Sequence, residues 1–192
     1  MKVVAFVGSP RNAGNTELLT RIALEIIAES GIETELIRLF NFDIQPCTDC
    51  GVCELGETCS IDDDLISLYI KAKEANAIIL ASPVYFSSVT GKMKSFMERA
   101  GYISYRNGYT FSRKVGGPLT VAARNGGNFT NAQLLLWFMI LGFVIPGSTN
   151  WNCAFGNEIG DIWSDNKGIL TVCDFAENLA WLVKNLASRN SP

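Results

Sequence analysis

The chain alternates short, wholly apolar runs with amphipathic stretches, and this alternation restricts its fold more than any other feature. Residues 2–8 (KVVAFVG) are β-branched and apolar and close on a glycine. A run that is apolar on both sides of its pleat reads as a strand covered on both faces, as in parallel sheets. Residues 15–30 follow, with Leu18, Leu19, Ile22, Ala23 and Ile26 at helical spacing and Gly31 as the stop. The same reading gives strands at 33–39, 77–81 (AIILA) and 115–123 (VGGPLTVAA), and strand with loop over 144–155. Helices are expected at 61–75, capped by Asp62 or Asp63, and at 92–100, 129–141 and 170–187. Residues 41–60 have no period and carry cysteines.

Strands that alternate with helices build a doubly wound parallel α/β sheet with helices on both faces. Five strands fit the flavodoxin-like order 2-1-3-4-5 better than a six-stranded arrangement. With no linker and no internal repeat, residues 1–192 are expected to form a single domain, with a cysteine-rich loop at 46–60 inserted after strand two. Ligands of such sheets bind beyond the carboxyl ends of the strands. Function is therefore expected in the loops after strands one, three and four.

Composition narrows the chemistry. There is no histidine, which excludes Ser-His-Asp triads, Cys-His pairs and HExxH zinc sites. The net charge of −3 offers no basic surface for nucleic acid. No apolar run approaches the ~20 residues of a membrane span. The opening run breaks at Gly8-Ser9-Pro10 without a cleavage pattern, so no signal peptide is expected and the protein is placed in the cytoplasm. In that compartment clustered cysteines point to metal or redox chemistry rather than disulfides.

The loop after strand one, GSPRNAGNT at 8–16, opens a helix. A helix N-terminus offers free N–H groups and partial positive charge to an anion. Ser9, Asn15 and Thr16 add donors, Arg11 adds a fork for phosphate oxygens, and Gly8 and Gly14 allow close backbone approach. The loop lacks the Gly-Lys-Ser/Thr ending of a Walker A motif and is not GxGxxG, so it suits one phosphate monoester, as in FMN. After strand three, Pro83, Val84, Tyr85 and Phe86 supply flat apolar surface for a planar ring. After strand four, Arg124-Asn125-Gly126-Gly127-Asn128 is a turn signal on the same rim.

These segments, GSPRNAGNT at 8–16, SPVYFSSVTGKMKSFMERAG at 82–101 and RNGGN at 124–128, resemble the flavodoxin-like NADPH-dependent FMN reductase superfamily. The resemblance spans about residues 1–150. It implies FMN phosphate on Ser9, Arg11, Asn15 and Thr16. It also implies the isoalloxazine against Pro83, Val84, Tyr85 and Phe86, near Ser88, and against Arg124, Asn125, Gly126 and Gly127. A homodimer or homotetramer with flavins near subunit interfaces is implied as well. Residues 102–111 then read either as an aromatic insert reaching a neighbouring subunit's flavin or as a surface loop packed on its own aromatics.

Cys47, Cys50, Cys53 and Cys59 are spaced C-x2-C-x2-C-x5-C. Three thiolates at two-residue gaps converge in a compact loop, and Gly51 and Gly56 permit its turns. Thiolate-rich ligation without histidine suits an iron–sulfur cluster or Cys₄ zinc. Structural zinc usually takes two CxxC pairs farther apart, whereas this ladder is like half of a ferredoxin motif with Cys59 completing a single [4Fe–4S]. A Cys₄ zinc site and a metal-free loop stay open beside it. On such a chain the ladder resembles the iron–sulfur flavoproteins of anaerobic microbes, which implies Cys47, Cys50, Cys53 and Cys59 as cluster ligands. Asp49, Glu54 and Glu57 place negative charge beside them.

Cys153 and Cys173 read as buried free thiols, and Trp137, Trp151, Trp163 and Trp181 as core or interface residues, with Trp151 placed near a flavin by the Pro146-Gly147-Ser148 turn before it. The expected function is a flavin-dependent oxidoreductase holding FMN and a [4Fe–4S] cluster. It would pass electrons from a ferredoxin-like donor through the cluster to FMN and on to a quinone, oxygen or peroxide. No catalytic side chain is expected. Two alternatives are an NAD(P)H-dependent FMN or quinone reductase, with NAD(P)H as transient donor and a structural cysteine loop, and a non-catalytic zinc module.

Overall fold

The computed structural model describes residues 1–189, so the last three residues of the expected 1–192 unit lie outside it. In chain order the elements are β1 (Lys2–Val7), α1 (Asn15–Glu29), β2 (Glu33–Arg38), α2 (Leu65–Glu74) and β3 (Ala77–Pro83). There follow α3 (Gly91–Arg106), β4 (Val115–Ala122), α4 (Gly127–Ile140), β5 (Cys153–Phe155) and α5 (Asn166–Arg189). The strands make one five-stranded parallel sheet in the order β2-β1-β3-β4-β5, as the sequence pattern predicts.

Alternation along each strand divides the core into two layers. Val4, Phe6, Ile78 and Leu80 face one layer with residues of α2, α3 and α4. Val3, Ala5, Val7, Ile79 and Ala81 face the other with α1 and α5. Both faces are covered, which is why these strands carry no polar alternation. Gly116 and Gly117 let helices approach β4 closely: a Cβ on Gly116 would lie 2.7 Å from Phe138 and Phe143, and one on Gly117 2.6 Å from Phe175.

Pro118 stands in β4, a place where a missing N–H normally costs a ladder bond. The register removes that cost. Gly116 N and Thr120 N point to the outer side and donate to Val144 O at 3.1 Å and Asn152 O at 2.9 Å. Pro118 shares their parity and faces the gap between those two contacts. The fifth strand is accordingly short: of the expected 144–155 segment, Val144 makes an isolated bridge with Val115 and only Cys153–Phe155 form a strand.

Two helices differ from expectation. α2 starts at Leu65, not at 61, because the acidic run before it is used elsewhere. Asp64 Oδ2 accepts from Asp43 N at 2.7 Å, and Asp63 turns inward to an arginine described below. Neither Asp62 nor Asp63 is the N-cap residue; Asp64 occupies that position without a side-chain cap bond. α3 runs to Arg106, past the expected end at Ala100. Residues 102–106 are therefore its last turns, not part of an insert. Phe111 is fully buried against Tyr69, Trp137 and Phe143, all outside the segment, while Tyr105 and Tyr109 pack edge-on within it at 5.2 Å.

Candidate functional site

The loops after β1, β3, β4 and β5 meet on one rim because parallel pairing aligns their carboxyl ends. Gly8 N donates to Ala81 O at 2.8 Å, Val84 N to Val121 O at 2.9 Å and Gly156 N to Ala122 O at 3.0 Å. Thr90, the N-cap of α3, ties two of these loops together. Its buried Oγ1 donates to Gly8 O at 2.7 Å and accepts from Met93 N at 3.3 Å.

Ser9, Arg11, Asn15, Thr16, Pro83, Val84 and Tyr85 line one cavity of about 130 Å³ on this rim, joined by Val121, Ala123, Gly156 and Asn157. No acidic side chain lines it, and the N-terminal turn of α1 contributes Asn15 and Thr16. A helix N-terminus, two hydroxyls and one guanidinium make a donor set suited to a phosphate monoester. Pro83, Val84 and Tyr85 add the flat apolar wall a ring system needs. The cavity thus fits FMN in its chemistry.

Several expected residues are placed differently. The Asn15 amide is committed within the protein: Nδ2 donates to Glu158 O at 2.7 Å and Oδ1 accepts from Gly160 N at 2.8 Å. It clamps the segment after β5 to the loop after β1. Arg11 Nη1 does the same, donating to Asn157 O at 2.6 Å. Gly14 sits at the α1 cap position but does not line the cavity. Tyr85 and Ser88 exchange backbone hydrogen bonds of 2.9 and 3.0 Å around Phe86 and Ser87, both at positive φ (50° and 61°). That turn is normally left to Gly or Asn, so the strain marks a site worth functional attention. Phe86, 104% exposed, projects from its tip. Ser88 Oγ donates to Gln133 Oε1 at 2.9 Å.

Arg124 and Asn125 are exposed and do not line the cavity. Gly126 has φ +86°, and a Cβ there would lie 3.1 Å from Ser87 Cα, so the two rim loops pack directly on each other. Gly127 faces Cys153, whose Sγ a Cβ would meet at 2.1 Å. Cys153 and Cys173 are half-buried instead of buried, and burial pushes both thiols up from their ordinary pKa. Trp151, Trp163 and Trp181 are exposed, and Trp151 does not line the rim cavity. Trp137 is partly buried, its Nε1 donating to Met97 O at 2.8 Å.

Sequence reasoning missed Gly156, Asn157, Thr90 and Glu17. The buried Glu17 carboxylate accepts from Ala13 N at 3.0 Å and pairs with Arg21 at 2.6 Å and Arg38 at 3.1 Å. It shapes the loop after β1 from behind. An acidic residue in the first helical turn was the available signal.

The cysteine loop lies on the α2–α3 side of the sheet. Cys47, Cys50, Cys53 and Cys59 all line one small cavity of about 40 Å³, with Arg99, Tyr102 and Arg106 of α3 among its walls. Gly51, at φ +75°, makes the turn between the second and third cysteines. Asn107 Nδ2 pins the loop by donating to Cys53 O at 3.0 Å and Gly56 O at 3.2 Å. Cys50 Sγ lies 2.9 Å from Ser60 Oγ, and that hydrogen bond draws its thiol pKa down. Burial pushes Cys53 up. Among the described residues, no group of three such side chains converges as one metal ion requires. The four cysteines nonetheless line one cavity, and thiolates without histidine are the donor set of an iron–sulfur cluster. Cys47 and Asp49 also border a groove of about 680 Å³ between α3 and α4, walled by Tyr102, Tyr105, Trp137 and Ile140.

Comparison with known proteins gives the family. The NADPH-dependent FMN reductase family matches residues 1–158. An iron–sulfur flavoprotein of Methanocaldococcus jannaschii is 39% identical over 191 residues, covering 96% of this chain and 98% of its own. Another from Methanosarcina thermophila is 34% identical over 185 residues, covering 93% of each chain. The crystal structure of RosB with bound 8-demethyl-8-formylriboflavin-5′-phosphate superposes with a TM-score of 0.79 at 22% identity, over 100% of this chain and 82% of that one. The chain belongs to the NADPH-dependent FMN reductase family and, within it, to the iron–sulfur flavoproteins. It is a flavin-dependent oxidoreductase with a flavodoxin-like fold, which removes the non-catalytic zinc module from consideration.

Proposed function

We propose that this member of the FMN reductase family holds FMN in the rim cavity and one [4Fe–4S] cluster on Cys47, Cys50, Cys53 and Cys59. It takes electrons from a ferredoxin-like one-electron donor and delivers them to a small acceptor: a quinone, oxygen or peroxide. When bound, the two groups supply the exchange between one-electron and two-electron transfer. The observation that carries this reading is the single cavity walled by all four ladder cysteines.

The chain's own residues bind and orient. Ser9, Arg11, Thr16 and the α1 N-terminus face the phosphate, with Gly14 and Asn15 holding the loop's shape. Pro83, Val84 and Tyr85 would flank the ring, with Phe86 and Ser88 in the adjoining turn and Arg124, Asn125, Gly126 and Gly127 in the loop after β4 that packs on that turn. No side-chain base is required: the two protons that accompany two electrons to a quinone come from water. Phe129, Leu136, Met139 and Ile140 of α4 are all more than 60% exposed, which supports a homodimer or homotetramer that covers them. No described helix is long and apolar enough to cross a membrane, in keeping with the proposed cytoplasmic setting. A second reading, direct reduction by NAD(P)H, is favoured by the match to a family of NADPH-dependent reductases.

Anaerobic purification tests the proposal. Flavin absorbance with a broad iron–sulfur shoulder and about four irons per chain supports it. Flavin without iron leaves the NAD(P)H reading. Cys50→Ala is expected to abolish ferredoxin-linked FMN reduction while dithionite still reduces FMN, and undiminished ferredoxin-linked turnover overturns the relay.

A further inference from the structure

Arg99 is the odd residue of α3. Its neighbours on the inward face, Met93, Phe96, Ala100 and Ile103, are all buried and apolar. Its side chain is 1% exposed, and that of its partner Asp63 is 0%. Removing two charges from water costs several kcal/mol per ion, and a methionine or leucine would fill the same volume without that cost. The pair is therefore explained by what its hydrogen bonds hold.

Those bonds all lead to the cysteine loop. Nη1 donates to Gln45 O at 3.1 Å, two residues before the first ladder cysteine. Nη2 donates to Cys59 Sγ at 3.1 Å and to Asp63 Oδ1 at 3.0 Å. Asp63 in turn accepts from Gln45 N at 2.9 Å and Leu65 N at 3.1 Å. The segment entering the ladder and the segment leaving it are thus fastened to one guanidinium. Other charges nearby are occupied: Glu54 lies 3.2 Å from Arg106, and Glu57 lies 2.7 Å from Lys73.

We propose that Arg99 is the positioning residue of the cluster site: it clips both ends of the ladder and gives the Cys59 thiolate a charge-assisted N–H···S bond. This rests on the iron–sulfur reading above. Hydrogen bonds to ligand sulfurs and nearby charge set a cluster's potential, and outer-shell partners govern metal retention. Arg99 therefore raises the potential and slows iron release, without touching the flavin cavity.

The test compares wild type, Arg99→Lys and the double variant Arg99→Met with Asp63→Asn, which leaves no lone buried carboxylate. Each is reconstituted anaerobically with iron and sulfide. Flavin stoichiometry and thermal melting report the fold; a redox titration followed by EPR reports the potential; a chelator reports iron loss. The double variant is expected to bind flavin normally but to take up one electron about tenfold less favourably, a shift of about 59 mV to more negative potential. Its iron loss is expected to be at least about tenfold faster. Arg99→Lys keeps the charge but not the fork, so it retains most of the potential while losing iron faster. Wild-type potential and iron retention in the double variant reduce Arg99 to a core ion pair and overturn the proposal; if that variant does not fold, wild-type iron retention in Arg99→Lys does so. A wild-type protein that folds, binds flavin and takes up no iron defeats the iron–sulfur reading itself.

Discussion

Replacing Thr90 with valine keeps the volume of the side chain and removes its hydroxyl, which serves two partners at once. Oγ1 caps α3 by accepting from Met93 N at 3.3 Å, and it donates to Gly8 O at 2.7 Å. Thr90 is 1% exposed, so water does not replace either bond. Losing a threonine cap costs about 1 kcal/mol. Leaving a buried carbonyl short of its donor costs about 1–3 kcal/mol more. The sum, about 2–4 kcal/mol, corresponds in a domain of this size to a fall in melting temperature of roughly 4–16 °C. Thermal melting of the flavin-free protein by circular dichroism measures it. Thr90→Ser retains the hydroxyl and is expected to lose less than about 1.5 kcal/mol, the usual ceiling for a lost methyl. Because Gly8 heads the phosphate loop, Thr90→Val should also weaken FMN binding in a fluorescence titration. A valine variant that melts with wild type, or a serine variant that falls as far as valine, refutes the reasoning.

Four further outcomes are expected. Arg11→Ala should weaken FMN binding about tenfold to a hundredfold, the worth of one charge-assisted hydrogen bond, with melting little changed; an unaltered Kd removes Arg11 from the phosphate site. Gly126→Ala forces a Cβ into a left-handed backbone 3.1 Å from Ser87 Cα and should destabilise by at least about 1–2 kcal/mol, seen as a lower denaturant midpoint. In metal-free protein, Cys50, whose thiol is drawn down by Ser60, should be alkylated at lower pH than Cys53, whose thiol burial pushes up; peptide mass spectrometry should show that order, and Ser60→Ala should narrow it. Glu35, held below the usual carboxylate range by Lys2 and Lys71, contributes stability above its ordinary pKa and loses it as pH falls through the lowered folded value. The stability gap between wild type and Glu35→Gln should therefore be full at neutral pH and close below about pH 4, and a gap constant with pH contradicts the assignment.

How much of this was legible in the sequence depends on how local each cause is. β1, β3 and β4 were readable because burial on both faces leaves continuous apolar runs, and their parallel order followed from the helices between them. The cavity-lining loop after β1 was readable because Ser9, Arg11, Asn15 and Thr16 all fall within residues 9–16. The Asn15 and Arg11 clamps on residues 157–160 were not, since their partners lie more than 140 residues away. β5 was over-read for a similar reason: only the bonds to Thr120 and Gly116 decide which part of 144–155 is strand.

α3 shows the same limit and what lies beyond it. Its aromatic stretch looks like a loop by propensity, since Tyr102, Ile103 and Tyr105 each favour helix weakly. Yet Ile103 and Ser104 are buried, and packing decides the matter against propensity. The same helix places Thr90 at the rim proposed to hold flavin and Arg99 beneath the cysteine loop, about 13 Å farther along at 1.5 Å per residue. A polar residue among apolar neighbours in SFMERAG gives a sequence reader no partner to name, because Gln45 and Cys59 come from a loop without period and Asp63 reads as a helix cap. The helix is what makes the two sites one apparatus: a rigid element fixes their separation, while each end is fastened to its own loop by a buried side chain. Ligand-bearing loops on such a scaffold can be irregular because the strut between them is not.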